Sequence, residues 1–215
     1  MELPDGLAGY SLPVTLKALA INCTLKPSPE ESSCQLLLDH LLAHLSEHDV
    51  ESETIRIADH DVKPGVTSDE GDGDDWPAIR EKILAADIFV FGTPIWVGHP
   101  TSFAQRVIER LDAFLGETDD LGRMVSFDRV ACVAVVGNED GAHHVFADVG
   151  QALSDVGFTI PASGSTYWVG EAMQTVDLKD KPQIPEKTAE SAATLARNAA
   201  HLARLLKADG YPAGT

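Results

Sequence analysis

Apolar residues along the chain alternate between short continuous runs and positions three or four apart, which are the signatures of buried strands and amphipathic helices. Leu16-Lys17-Ala18-Leu19-Ala20-Ile21 reads as a first strand, leading into a polar loop from Asn22 to Ser33. Leu37, Leu38, Leu41, Leu42 and Leu45 then recur at helical spacing between Ser33 and Leu45. Val50 to Ile57 carries Glu51, Glu53 and Arg56, the pattern of a strand at or near a sheet edge. Residues 59–75 are rich in Asp and Gly and read as a mobile loop, with Asp74 or Asp75 placed to cap a helix that tolerates Pro77 in its first turn. That helix ends near Ala86, and Ile88-Phe89-Val90-Phe91 follows as a short apolar run. A helix from about Thr101 to Leu115 shows Phe103, Val107, Ile108, Leu111 and Phe114 on one face. Val130 to Val136 is uninterrupted apolar sequence, as expected of a central strand covered on both faces. A helix over about 142–156, a last strand near Phe158-Thr159-Ile160, a loop around Tyr167-Trp168, a linker from Thr175 to Pro185 and an Ala-rich helix from Glu186 to Ala208 complete the pattern.

The order is β-α repeated five times, which predicts a parallel sheet between two helical layers. No repeat is visible, and the pattern divides into a tail (1–15), one domain (16–208) and a second short tail (209–215). In a five-stranded sheet of order 2-1-3-4-5, a ligand sits beyond the carboxyl ends of the strands, between the first and third and beside the fourth. Three loops meet there: Asn22 to Ser33, Gly92 to Pro100, and Gly137 to His143.

Composition adds exclusions. Apolar residues make up 44% and charged residues 23% of the 215, an ordinary globular balance. No run approaches the roughly 18 consecutive apolar residues of a membrane helix. Met1 to Pro13 is acidic and short of apolar residues, unlike a signal or transit peptide, so a cytoplasmic protein without membrane insertion is expected. A formal net charge of −18 argues against nucleic acid as a partner. It suits docking onto basic redox partners, or simply a soluble surface. Cys23, Cys34 and Cys132 form no CxxC pair and no disulfide framework.

Each of the three loops has a structural and a functional reading. The first combines hydroxyls and Lys26 at the start of a helix, whose free N–H groups attract an anion, yet Ser32 or Ser33 serves equally as a helix cap. It has neither the glycine fingerprint of a dinucleotide fold nor that of a P-loop. In the second, glycines and prolines fix the shape, and Trp96 offers a flat surface for a ring or a cover for the core. In the third, exposed backbone donors suit the edge of a heterocycle, and Asp140 suits a cap on the following helix.

Thr24-x-Lys26 with Ser32-Ser33, then Thr93-Pro94-Ile95-Trp96-x-Gly98-x-Pro100-Thr101, Glu109-Arg110-Leu111, and Gly137-Asn138-Glu139-Asp140-Gly141-Ala142-His143 resemble the NAD(P)H-dependent FMN reductases of the flavodoxin superfamily. The resemblance spans about Leu16 to Val169, and the second loop is its most specific part. It departs at Cys23, at Glu30 and Glu31, at Val97 and at Gln105. The resemblance implies a flavodoxin-like three-layer αβα sandwich with a five-stranded parallel sheet of order 2-1-3-4-5. It implies FMN as cofactor and NADH or NADPH as co-substrate, in an enzyme that passes hydride to the flavin and electrons on to a quinone, a flavin or a similar small acceptor. Thr24, Lys26, Ser32 and Ser33 would then hold the FMN phosphate. Thr93, Pro94, Ile95, Trp96 and Gly98 would wrap one side of the isoalloxazine. Gly137, Asn138, Glu139, Asp140 and Gly141 would approach its other side or edge, and His143 would hydrogen-bond the flavin or a substrate, or serve structurally. No catalytic residue is assigned, because the cofactor carries the chemistry. A homodimer or higher homo-oligomer is also implied; the chain is longer than a five-strand carrier needs, and its Trp168 loop and linker suit a substrate pocket or a dimer contact.

The alternatives are an electron carrier that holds FMN without NAD(P)H turnover, and a flavodoxin-fold protein that has lost its flavin. No metal is expected. His40, His44 and His48 share one helix edge but flank the apolar stripe, and Asp69 to Asp75 fits no EF-hand register. No GxSxG nucleophile elbow occurs.

Overall fold

A computed structural model describes residues 15–214, so nearly all of the N-terminal stretch expected as a tail lies outside the described residues. Five parallel strands, β1 (Leu16–Asn22), β2 (Val50–Arg56), β3 (Ile88–Trp96), β5 (Val130–Val136) and β6 (Ser165–Trp168), pair in the order β2-β1-β3-β5-β6. The two-residue β4 (His99–Pro100) folds back antiparallel onto the end of β3. Counted without that hairpin, the order is the expected 2-1-3-4-5, and the fold is the flavodoxin-like αβα sandwich.

Strand periodicity sorts the side chains into two cores. Val130, Cys132, Ala134 and Val136 of β5 face α1 (Ser33–Ser46) and α5 (Glu186–Ala208), packing with Leu37, Leu38, Leu41 and Leu195. Ala131, Val133 and Val135 face the other layer, α2 (Trp76–Ala85), α3 (Ser102–Leu111) and α4 (Ala142–Asp155), and pack with Ile79, Val107, Val145 and Leu153. α5 meets the sheet through Ala192, Ala196, Ala199, Ala200 and Ala203, whose small side chains allow close approach. Helix starts follow their capping residues: Ser32 Oγ accepts from Gln35 N–H on α1, and Thr101 Oγ1 accepts from Ala104 N–H on α3.

Three boundaries differ from the sequence reading. β3 continues through Gly92-Thr93-Pro94 to Trp96, so half of the expected second loop is strand. Proline is tolerated there because Gly92 C=O faces β1, accepting from Cys23 N–H, and Pro94 faces the same side after β1 has ended. The last strand is not Phe158-Thr159-Ile160, which makes one isolated bridge from Thr159 to Val130. The chain bulges through Pro161 to Gly164 and rejoins the sheet at Ser165. The helix expected over 101–115 closes at Leu111 and continues as a 3-10 turn to Gly116. The C-terminal segment is tethered as well, with Tyr211 N–H donating to Asp128 and its ring packing on Phe127.

The acidic segment 59–75, expected to be mobile, is pinned from above by α3. Arg110 donates to the carbonyls of Lys63 (2.9 Å) and Thr67 (3.1 Å) and pairs with Asp74 at 2.8 Å, both side chains 0% exposed. Burial acts to raise the Asp74 carboxyl. The amides of Glu70, Trp76 and Lys63 and the Arg110 guanidinium outweigh it and hold the group below the ordinary aspartate value. At the same carboxyl edge of the sheet, the two-residue turn of the β3–β4 hairpin has φ 54° at Val97 and φ 77° at Gly98. That turn type favours Asn-Gly, and a β-branched residue in the left-handed region is strained.

Replacing Arg110 with Met strands Asp74 and should cost about 3–5 kcal/mol in urea unfolding; a loss under about 1 kcal/mol would show the pair to be dispensable. Because the Asp74 value is depressed, its contribution is complete above the ordinary aspartate range near pH ~4 and drains away as pH falls through the folded value. Asp74→Asn should therefore flatten the acid limb of the stability curve. Val97→Asn should raise stability by about 1 kcal/mol, and a lowered melting temperature would contradict the strain.

Candidate functional site

β1 and β3 part company after Asn22 and Gly92, and the loops that follow them open a cavity of about 370 Å³ at the carboxyl edge of the sheet. This is the size range of small-ligand sites, at the position where an open α/β sheet binds its ligand. The first wall is the loop between β1 and α1. Buried Asn22 shapes it, accepting from Thr24 N–H (3.0 Å) and donating to Gln35 (2.9 Å). Its outer turn is braced on the end of β2: Ser28 donates its N–H and hydroxyl to Asp59 at 2.6 and 2.7 Å, and Arg56 donates to Glu30 C=O. Those bonds from Ser28 hold the Asp59 carboxyl below its usual range.

The hydroxyl of Thr101 ties this loop to the second wall. It donates to Cys23 C=O at 2.7 Å and accepts from Ala104 N–H, while Thr101 N–H donates to Thr93 Oγ1. Pro94, Ile95 and Trp96 line the cavity from the end of β3, and Trp96 stays 57% exposed at the mouth. The third wall follows β5. Gly137 N–H donates to Trp168 C=O, and Glu139 accepts from Val97 N–H at 2.8 Å, closing the hairpin onto this loop.

Of the residues nominated from sequence, Thr24, Lys26, Ser32, Ser33, Pro94, Ile95, Trp96, Gly137, Asn138 and Glu139 line this one cavity. Thr93 is buried beneath it, and Gly98 forms the hairpin turn. Asp140, Gly141 and His143 fall outside it and line a neighbouring depression with His144 and Tyr167. Gly141 causes the divergence. Its φ of 128° turns the chain into α4, and a Cβ there would lie 3.0 Å from Gly98 Cα. Gly141 is thus the N-cap, and Asp140 accepts from Gly141 N–H instead of capping the helix. His143 contacts Tyr167 OH at 3.2 Å.

A fourth wall went unnamed among the expected site residues. The linker supplies Asp177, Leu178 and Lys179, and β6 supplies Trp168. Leu178 is fully buried against the α1–α5 core, inside a 3-10 turn closed reciprocally by Asp177 and Asp180. Lys179 N–H donates to Ser33 Oγ (3.2 Å), and Asn138 donates to Asp177 (2.9 Å). The available signal was a lone leucine between two aspartates spaced as a cap.

Charge is unevenly distributed in the cavity. Lys26 and Lys179 lie with Ser32 and Ser33 at the start of α1, where the helix end favours an anion. Asp180 beside Lys179 raises its ammonium above the ordinary value, and Glu31 lies 3.8 Å from the same ammonium. From the ends of β3 and β5 the lining takes the apolar Pro94, Ile95, Trp96, Val136 and Gly137, followed by the polar Asn138 and Glu139. Burial pushes the Cys34 thiol on the cavity lining well up; burial, then neighbouring Cys34, does the same to Cys23. Both thiols stay protonated and inert. Among the described residues, no histidine lines the cavity. The lining therefore suits a flat group with an anionic tail.

Comparison with known proteins agrees with this geometry. The family model for NADPH-dependent FMN reductases matches residues 16–174. The 8-demethyl-8-aminoriboflavin-5'-phosphate synthase of Streptomyces davaonensis is 33% identical over 208 residues, covering 92% of this chain and 81% of that protein. A divalent metal cation transporter, MntH, of Mycobacterium bovis is 38% identical over 161 residues, 73% of this chain, but this chain spans only 24% of the transporter's length. Among solved structures, RosB with bound 8-demethyl-8-formylriboflavin-5'-phosphate superposes with a TM-score of 0.82 at 32% identity, covering 91% of this chain and 82% of that one. A flavone reductase shares the fold at a TM-score of 0.65 and 18% identity, covering 93% and 66%. With a match over most of its length and the site at the edge where the fold places it, the chain belongs to the NADPH-dependent FMN reductase family.

Proposed function

We propose that the protein binds FMN in the cavity between β1, β3 and β5 and uses NAD(P)H to reduce it, delivering electrons to a small acceptor such as a quinone or a free flavin. The observation that carries this reading is the cavity's polarity. Hydroxyls and lysines gather at the N-terminus of α1, and the ends of β3 and β5 add Pro94–Trp96 and Gly137–Glu139.

The donors fit a phosphate. Ser32 and Ser33 use their oxygens to accept from Gln35 and Lys179 N–H groups, which leaves each hydroxyl proton to donate outward. Lys26 and Lys179 add charge, and exposed Glu31 is offset by Lys179. Bound FMN supplies the two-electron chemistry, and the chain positions the ring and limits water. Trp96 lies exposed at the mouth, and Gly137 leaves room for Ile95, whose side chain lies 3.1 Å from where a Cβ would stand. The exposed apolar residues Leu25, Trp96, Val97 and Met173 sit around this mouth, the first two lining it and Met173 bonded to Asn138 C=O. That surface is covered in a homodimer on our reading. Three buried free thiols suit the reducing cytoplasm. No described helix is long and apolar enough to cross a membrane.

A second reading is favoured by the 33% identity to a riboflavin-phosphate-modifying synthase over 92% of the chain. In it, the same cavity holds a riboflavin 5'-phosphate as substrate, whose ring is altered.

The protein should bind FMN, and Lys26→Gln should weaken binding about tenfold or more, the worth of a charged hydrogen bond. Trp96→Ala should weaken it by a similar factor, and unchanged affinity in both variants would refute this placement. The FMN-loaded protein should consume NADPH or NADH steadily with a quinone or flavin acceptor. Flavin reduced by dithionite but not by NAD(P)H would point to an electron carrier. A changed mass of the extracted flavin after turnover would establish the second reading.

A further inference from the structure

Beside the cavity, and unused by it, three side chains bring metal-binding atoms together. His99 opens β4, directly after the Val97–Gly98 turn, and His144 and Asp148 lie one helical turn apart on α4. His144 Nε2 is 3.2 Å from His99 Nδ1 and 3.4 Å from Asp148 Oδ2, and His99 Nδ1 is 4.0 Å from the same oxygen. The imidazoles converge through these nitrogens, which are closer than the ring centroids at 4.8 Å. A tetrahedral zinc ion with bonds of about 2.0–2.2 Å holds its ligand atoms about 3.4 Å apart. The three donor atoms thus already stand close to the spacing that one ion needs.

We propose that His99, His144 and Asp148 form a surface site for a divalent cation of the zinc class, which fastens the hairpin carrying Trp96 to α4. Two imidazoles and one carboxylate suit zinc, nickel or copper far better than magnesium or calcium, which take oxygen ligands. All three side chains are exposed, so the ion keeps water in its remaining positions and little desolvation opposes it. The net charge of −18 favours cation binding. The ligands sit on two elements that already touch: Gly98 packs against Gly141, and Val97 N–H donates to Glu139. An ion joining His99 to α4 adds a third tie, at the end of the hairpin that frames the cavity mouth. The site does not depend on flavin, so it stands or falls apart from the functional reading above.

Calorimetric titration of the metal-stripped full chain with zinc chloride tests this. The expected result is one equivalent bound at micromolar free zinc or tighter, with binding weakened about tenfold or more in His99→Ala and in His144→Ala. Asp148→Asn should weaken it as well. His143→Ala, which removes the imidazole bonded to Tyr167, and a His40→Ala/His44→Ala double variant should bind as the parent does. Zinc should raise the melting temperature of the parent and leave that of His99→Ala where it is. Absence of binding by the parent at micromolar zinc would overturn the proposal. So would binding that survives both His99→Ala and His144→Ala, or that disappears with His40 and His44.

Discussion

The hydroxyl of Thr101 is the hinge on which the functional edge of the sheet depends. It is buried, and it joins three segments: the Cys23 carbonyl at the end of β1, the first turn of α3 and, through its own amide, the Thr93 hydroxyl on β3. Parallel pairing brings β1 and β3 together only as far as Asn22 and Gly92. Beyond that point nothing in the ladder fixes how far their loops separate, and an unmade buried hydrogen bond would cost more than a made one gains. One side chain therefore sets the width of the opening between the first two walls.

A second constraint is electrostatic. The chain carries 34 acidic against 16 basic residues, and the densest acidic segment lies against α2 and α3. Arg110 turns that liability into structure, meeting Asp74 with one nitrogen and two loop carbonyls with the others, while stacking over Trp76 at 5.7 Å. Asp119 and Asp128 are similarly held by Arg123, and Asp87 by Lys207. These cations join segments, while Lys26 and Lys179 lie on the cavity lining.

The sandwich was legible because its signals are local: β5 is apolar at every position, and α1 and α5 repeat their small and large apolar residues at helical spacing. What escaped was set by tertiary context. Gly92 and Pro94 look like loop residues, but the strand can continue once β1 has ended on the side Pro94 faces. Pro161 to Gly164 separates Phe158-Thr159-Ile160 from β6, so the apolar character falls on a segment that makes one bridge, and the paired segment reads as a loop. In the third loop, Gly137, Asn138 and Glu139 line the cavity, whereas Asp140, Gly141 and His143 adjoin them in sequence but line the neighbouring depression, where Gly141 turns the chain into α4. Leu178 was hidden in a polar linker because its burial depends on α1 and α5 meeting below it.

That linker makes the fourth wall different in kind from the other three. Three walls grow directly out of the ends of β1, β3 and β5. The wall from Asp177 to Lys179 is a short plug, seated by one buried leucine and bonded laterally to Ser33 and Asn138. It works like a removable panel in a fixed frame. A lineage could exchange the panel between Val169 and Pro185 and so reshape what enters the cavity, while the anchoring end at α1 and the strands beneath it stay as they are.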